Sequence, residues 1–182
     1  MTRRLGAGVA GLLVLLALAG CSPEYDWREL DAAGGRVRAA FPAKVIDDTR
    51  RVTLAGHEIP FTLEAARRGN TVFAVGHIVL PPGDGTPPDP KAQREVVKAL
   101  LASWYTNVGV PVPDPLPPLG ETVDISSSAR GVAMRFVGKA VVHQGAIVEW
   151  MVTGPAGEFP EEPTKTFMAS PRLLGAAATP AQ

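Results

Sequence analysis

The run TVFAVGHIVL, residues 71–80, sets the tightest limit on the fold. At period two, Phe73, Val75 and Val79 lie on one side, and Val72, Ala74, Ile78 and Leu80 lie on the other. Successive side chains of a strand point to opposite faces, so this strand leaves water only if both faces are covered. The chain must therefore build a sheet with a further layer on each side, and this run belongs near the sheet's centre.

The neighbouring segments supply the other parts. Residues 37–41 read as a first strand stopped by Pro42, and residues 51–56 and 58–66 as two more. In the last of these Ile59, Phe61, Leu63 and Ala65 share one face. The cluster Arg67-Arg68-Gly69-Asn70 is a turn. After the proline-rich loop 81–90, Asp89 and Pro90 form an N-cap followed by a first-turn proline. They predict a helix over 91–107 that carries a stripe of Val97, Leu100, Leu101, Trp104 and Val108, with Gly109 ending it. Residues 110–120, VPVPDPLPPLG, form a stiff extended connector. Strands are expected at 121–126, 131–142 and 146–153, the last two joined by His143-Gln144-Gly145. Val132, Met134 and Phe136 share a face, as do Val148, Trp150 and Val152. A short helix over 160–169 places Phe167 and Met168 against the sheet. Strands grouped by hairpin-length turns, with helices set apart, mean an α+β domain: an antiparallel sheet flanked by helices.

The chain begins with a charged Thr2-Arg3-Arg4 stretch, an uncharged run rich in leucine, valine, alanine and glycine, and the small residues Ala19 and Gly20. This is the pattern of a secretory signal. The apolar run has 16 residues over 5–20, four of them glycine, against the ~20 that a spanning helix needs. The residues Leu18-Ala19-Gly20-Cys21 resemble the lipobox of bacterial lipoproteins. That resemblance implies a diacylglycerol thioether on Cys21, cleavage just before it and acyl-chain anchoring to a membrane. Ser22, a non-Asp residue after the cysteine, implies the periplasmic face of the outer membrane in that family. The expected organisation is a signal peptide over 1–20, a lipidated tether over 21–35, one α+β domain over 36–174 and a disordered tail over 175–182. Tyr25, Trp27 and Leu30 of the tether are expected to dock on the domain edge. Cys21 is the one cysteine among 182 residues, so the mature chain has no disulfide framework and no thiol catalysis.

Phe41-Pro42, the strand pairs before one long helix, and the closing run from Phe167 to Leu173 resemble small proteins of the PsbP/Mog1 fold. That resemblance implies a sheet sandwiched between helices over most of 35–174, and interaction modules rather than enzymes. No partner-contacting residue of that family can be matched here, so it implies no ligand.

Little in the mature chain points to chemistry. With 18 basic and 18 acidic residues the full chain is balanced, and loss of Arg3 and Arg4 leaves it faintly acidic, which argues against a nucleic-acid partner. His57, His77 and His143 are far apart with no metal-ligand spacing, so neither a metal nor another cofactor is expected. His57-Glu58 is a solvated pair at a turn, and His77 is a core histidine that could respond to pH. Ser126-Ser127-Ser128 has no nucleophile-elbow frame and reads as a strand-end turn. Gly83-Asp84-Gly85 lacks the strand and helix of a phosphate cradle, and Glu161-Glu162 suits the first turn of a helix. The expectation is a non-enzymatic, membrane-anchored lipoprotein that presents a binding or structural domain to an envelope protein. Two alternatives stand beside it: a lipid or small-ligand carrier with a pocket between the sheet and helix 91–107, and a hydrolase centred on His77 or His57. A wide apolar cavity would favour the carrier.

Overall fold

Strand 71–79 does lie inside a sheet covered on both sides. The computed structural model describes residues 24–80, 89–128 and 131–175. In it β1 (Arg28–Ala32), β2 (Val37–Phe41), β3 (Val45–Leu54), β4 (His57–Arg68) and β5 (Thr71–Val79) are followed by α1 (Pro90–Val108). Then come β6 (Thr122–Ser127), β7 (Met134–His143), β8 (Ala146–Pro155), a 3-10 turn, α2 (Glu161–Ala169) and β9 (Arg172–Leu173). Six strands form one sheet in the order β3-β4-β5-β8-β7-β6, and β1, β2 and β9 form a small second one. Every pairing is antiparallel. The α+β class follows directly.

The two faces of β5 feed two cores. Phe73 and Val75, with Val148, Trp150 and Val152 of β8, pack under β2 and α2. There the Phe167 ring lies 5.6 Å from both Phe41 and Phe73. Ile78 and Leu80, with Ile59, Phe61, Ile125, Phe136 and Ile147, pack under α1 through Val96, Leu100, Leu101 and Trp104. The start and stop signals of α1 both hold. The Asp89 carboxylate accepts the Lys91 backbone N–H at the N-terminus, and Gly109 takes the left-handed conformation at φ 78° that ends the helix.

Three features depart from the sequence expectations. Residues 28–35 were expected as tether, yet 28–32 form β1 and Ala32 and Ala33 are buried. Four of the five β1 side chains are exposed, so the strand shows no apolar alternation to read. Its order comes from pairing with β2 and from the Glu64 carboxylate, which accepts the Ala33 N–H at 3.0 Å. β9 is only two exposed residues held to β2, which leaves no pattern either. The sheet is also two sheets rather than one, because β1, β2 and β9 lie across the face of the larger sheet as part of its covering layer. Cys21, Gly83-Asp84-Gly85 and residues 176–182 lie outside the described residues.

Candidate functional site

The α1 core is incomplete. Between α1 and the larger sheet lies a cavity of about 580 Å³, a size that suits a small molecule. Leu100, Trp104 and Val108 of α1 form its roof, and Phe61, Leu63, Ile78, Phe136 and Met151 form most of its floor. Ser103, Asn107, Ser127 and Thr153 place a few hydroxyl and amide groups on this apolar lining.

Two glycines shape the floor. A Cβ at Gly76 would stand 2.8 Å from the Phe61 ring and 3.0 Å from Glu149 Oε1, so both groups occupy space that only glycine leaves open. A Cβ at Gly138 would meet the Phe136 ring at 2.6 Å. The absent side chains let two aromatic rings lie down on the sheet, which keeps room above them.

One acidic side chain stands in this apolar setting. Glu149, on β8 directly opposite Gly76 of β5, is 2% exposed and lines the cavity. Trp104 Nε1–H of α1 donates to its Oε2 at 2.8 Å. That is the hydrogen bond to this carboxylate among the described residues. Burial pushes its pKa up to about 7, and the Trp104 bond offsets only part of that rise. Near neutral pH Glu149 is therefore poised between a neutral acid and a desolvated anion. The cation that shares the cavity lining is Arg50 of the edge strand β3. Its guanidinium lies 5.8 Å from the Phe61 ring centroid. β3 and β8 run three strand spacings apart, about 14 Å between backbones, and it is the Trp104 bond, not Arg50, that offsets the burial of Glu149.

The histidines are not brought together. His57 begins β4 and is exposed. His143 Nε2 donates to the Leu174 carbonyl at 2.7 Å and so pins the segment after β9. His77 faces the other core, opposite Val148 and beneath the β1–β2 turn. Burial and the Arg36 guanidinium hold its pKa below the usual value, and its Nδ1 is buried without a hydrogen-bond partner. The charged neighbour of His77 is thus a cation, where a catalytic histidine needs an orienting acceptor. Ser126 and Ser127, expected in a strand-end turn, are instead the last two residues of β6, paired with Arg135 and Met134, and Ser127 also lines the cavity. Glu161 and Glu162 open α2, where Glu161 pairs with Arg135. Among the described residues no group of three or more His, Cys, Asp or Glu could hold a metal ion.

Sequence reasoning missed Glu149, although a signal was present. In AIVEWMV, residues 146–152, the alternation that places Val148, Trp150 and Val152 on one face places Glu149 between Ile147 and Met151 on the other. An acid between two apolar neighbours on one face of a strand with a helix above it is a buried acid. Gly76 inside an otherwise apolar strand was the second clue, since such a glycine marks a close approach. No family model, curated protein or solved structure matches the chain.

Proposed function

We propose that this is a lipid-anchored protein of a bacterial cell envelope whose domain holds a small, largely apolar molecule carrying one protonated amine. The observation that carries this reading is the 580 Å³ cavity with a single carboxylate in its lining. An apolar body fits the Leu, Phe, Val and Met walls, and its burial stabilises the complex by about 25 cal/mol per Å². An ammonium group gives the Glu149 carboxylate the cation it lacks, through a charge-assisted hydrogen bond of about 1.5–3 kcal/mol. A carboxylate head gains no such bond at Glu149 and has only Arg50 to meet in the lining. Anchoring rests on the lipobox ending in Cys21, and Ser22 favours the periplasmic face of the outer membrane. The antiparallel sheet between α1 and α2 agrees with a PsbP/Mog1-like sandwich, which we propose as the finer fold. A domain that only presents a surface to an envelope partner would have no use for this cavity, so the carrier reading takes precedence.

Calorimetric titration of the purified protein with dodecylamine, dodecanol and dodecanoate tests the reading. The amine is expected to bind tightest, by about tenfold or more, equivalent to 1.4 kcal/mol. Glu149→Gln keeps an acceptor for Trp104 and is expected to erase the preference while leaving dodecanol binding intact. Failure of all three to bind, or a preference for dodecanoate, would overturn the assignment.

A further inference from the structure

The N-terminal segment is fastened to one particular end of the domain. Tyr25 stacks on Trp27 with centroids 6.0 Å apart, and Trp27 meets the buried Phe73 edge-on at 6.5 Å. The Asp26 N–H donates to the Pro42 carbonyl at 3.0 Å, and the Arg68 guanidinium lies 5.9 Å from the Tyr25 ring centroid. Glu24 and Tyr25 share a shallow hollow with Arg68, Asn70 and Thr71 of the β4–β5 turn and with Glu158. Only three residue steps separate Cys21 from Glu24, a reach of at most about 11 Å when fully extended. An acyl chain on Cys21 therefore keeps the end of the domain that carries the β4–β5 turn within about 11 Å of the bilayer.

The strand registers show what else lies at that end. β4 finishes and β5 starts there, as Arg68 pairs with Thr71. β8 ends there, with Thr153 beside Val72, β7 begins there at Met134, and β6 ends there at Ser127. Ser127, Val132, Met134 and Thr153 form the cavity wall on this side. The two most exposed large apolar side chains among the described residues are Ile46, at 71%, and Val132, at 58%. Ile46 lies in the middle rows instead, through its register with Ala65, Ala74, Met151 and Gly138, whereas Val132 precedes Met134 at the β4–β5-turn end. Charge here is mixed, with Arg67 and Arg68 exposed beside Glu24 and Glu158, so an electrostatic patch does not set the orientation. The leash does.

We infer that the anchored domain stands with the Ser127–Val132–Met134 side of its cavity toward the bilayer, with Val132 at the lipid surface, so that an amphiphile passes between membrane and cavity. This inference rests on the lipid-anchor and cavity readings above and adds the direction of the mouth. With Cys21 acylated, a single introduced cysteine is the one free thiol in the mature chain. The lipidated protein, reconstituted in phosphatidylcholine vesicles containing a headgroup spin-labelled lipid, is labelled with an environment-sensitive fluorophore at Val132→Cys or at Val142→Cys. Val142 is also exposed, at 48%, but sits at the opposite end of β7. The expected result is several-fold stronger quenching at 132 than at 142, lost when a long Gly/Ser segment is inserted after Ser22. Equal quenching on sedimenting vesicles, or a difference that survives the insertion, overturns the orientation alone. Protein left in the supernatant overturns the anchor together with it.

Discussion

Glu149 is buried on a sheet face where every ordinary requirement of the core favours an apolar side chain. Its pKa is raised from the usual carboxylate range to about 7. Between about pH 4.5 and 7 the folded chain then holds a proton that the unfolded chain has released, so stability falls as pH rises through this window and levels off above it. The size of the fall is on the order of 3 kcal/mol, at 1.36 kcal/mol per unit. Chemical denaturation across pH 4–8 is expected to show this decline in the wild type, and a flatter curve in Glu149→Gln. Matching curves would mean that the acid is not desolvated. His77 acts in the opposite sense, because its lowered pKa adds stability as pH rises through the region below the usual histidine value. Comparing wild type with the Gln variant removes that common contribution. Trp104→Phe deletes the N–H donor to Oε2 and is expected to lower stability by about 1–3 kcal/mol. That loss should be larger at pH 8 than at pH 5, since the bond matters most to the anion.

The elements that could be read from sequence were those with a strong period and chemical punctuation. α1 had both: a stripe at helical spacing, Asp89-Pro90 at its start and Gly109 at its end. Asp89→Ala is expected to cost about 1 kcal/mol, measurable as a lower denaturation midpoint, because the Lys91 N–H loses its acceptor. β5 was legible through its two apolar faces, and α2 through Phe167. Phe167→Ala removes the ring between Phe41 and Phe73, with an expected loss of about 3–5 kcal/mol in the same assay. β1 and β9 were not legible, because exposed edge strands carry no buried alternation and are specified by distant partners. The cavity was only partly legible. Its place between helix and sheet followed from the layers, but its volume depends on Phe61 and Phe136 lying over Gly76 and Gly138. That contact is made by tertiary packing, with no trace in local periodicity. Gly76→Ala is accordingly expected to destabilise the fold by about 1–3 kcal/mol, since its methyl must displace the Phe61 ring or the Glu149 carboxylate.

For the whole molecule the two sheet faces divide the work. The face under β2 and α2 is filled, and it fastens the N-terminal segment through Tyr25, Trp27 and Phe73. The face under α1 is left open around one acid. Among the described residues no helix is long and apolar enough to cross a membrane; the attachment we propose is an acyl anchor on Cys21. Cys21→Ser is expected to move the protein from the membrane to the soluble fraction of fractionated cells, and persistence on the membrane would contradict the anchor. The central claim, that the α1 cavity is a ligand site, is tested most directly by filling it. Leu63→Trp places an indole on the cavity floor, at a half-buried position on the cavity side of β4. Dodecylamine titrated calorimetrically into the wild type is expected to give saturable one-to-one heat, lost in Leu63→Trp while its unfolding remains cooperative. Binding of equal strength in both proteins would contradict the account.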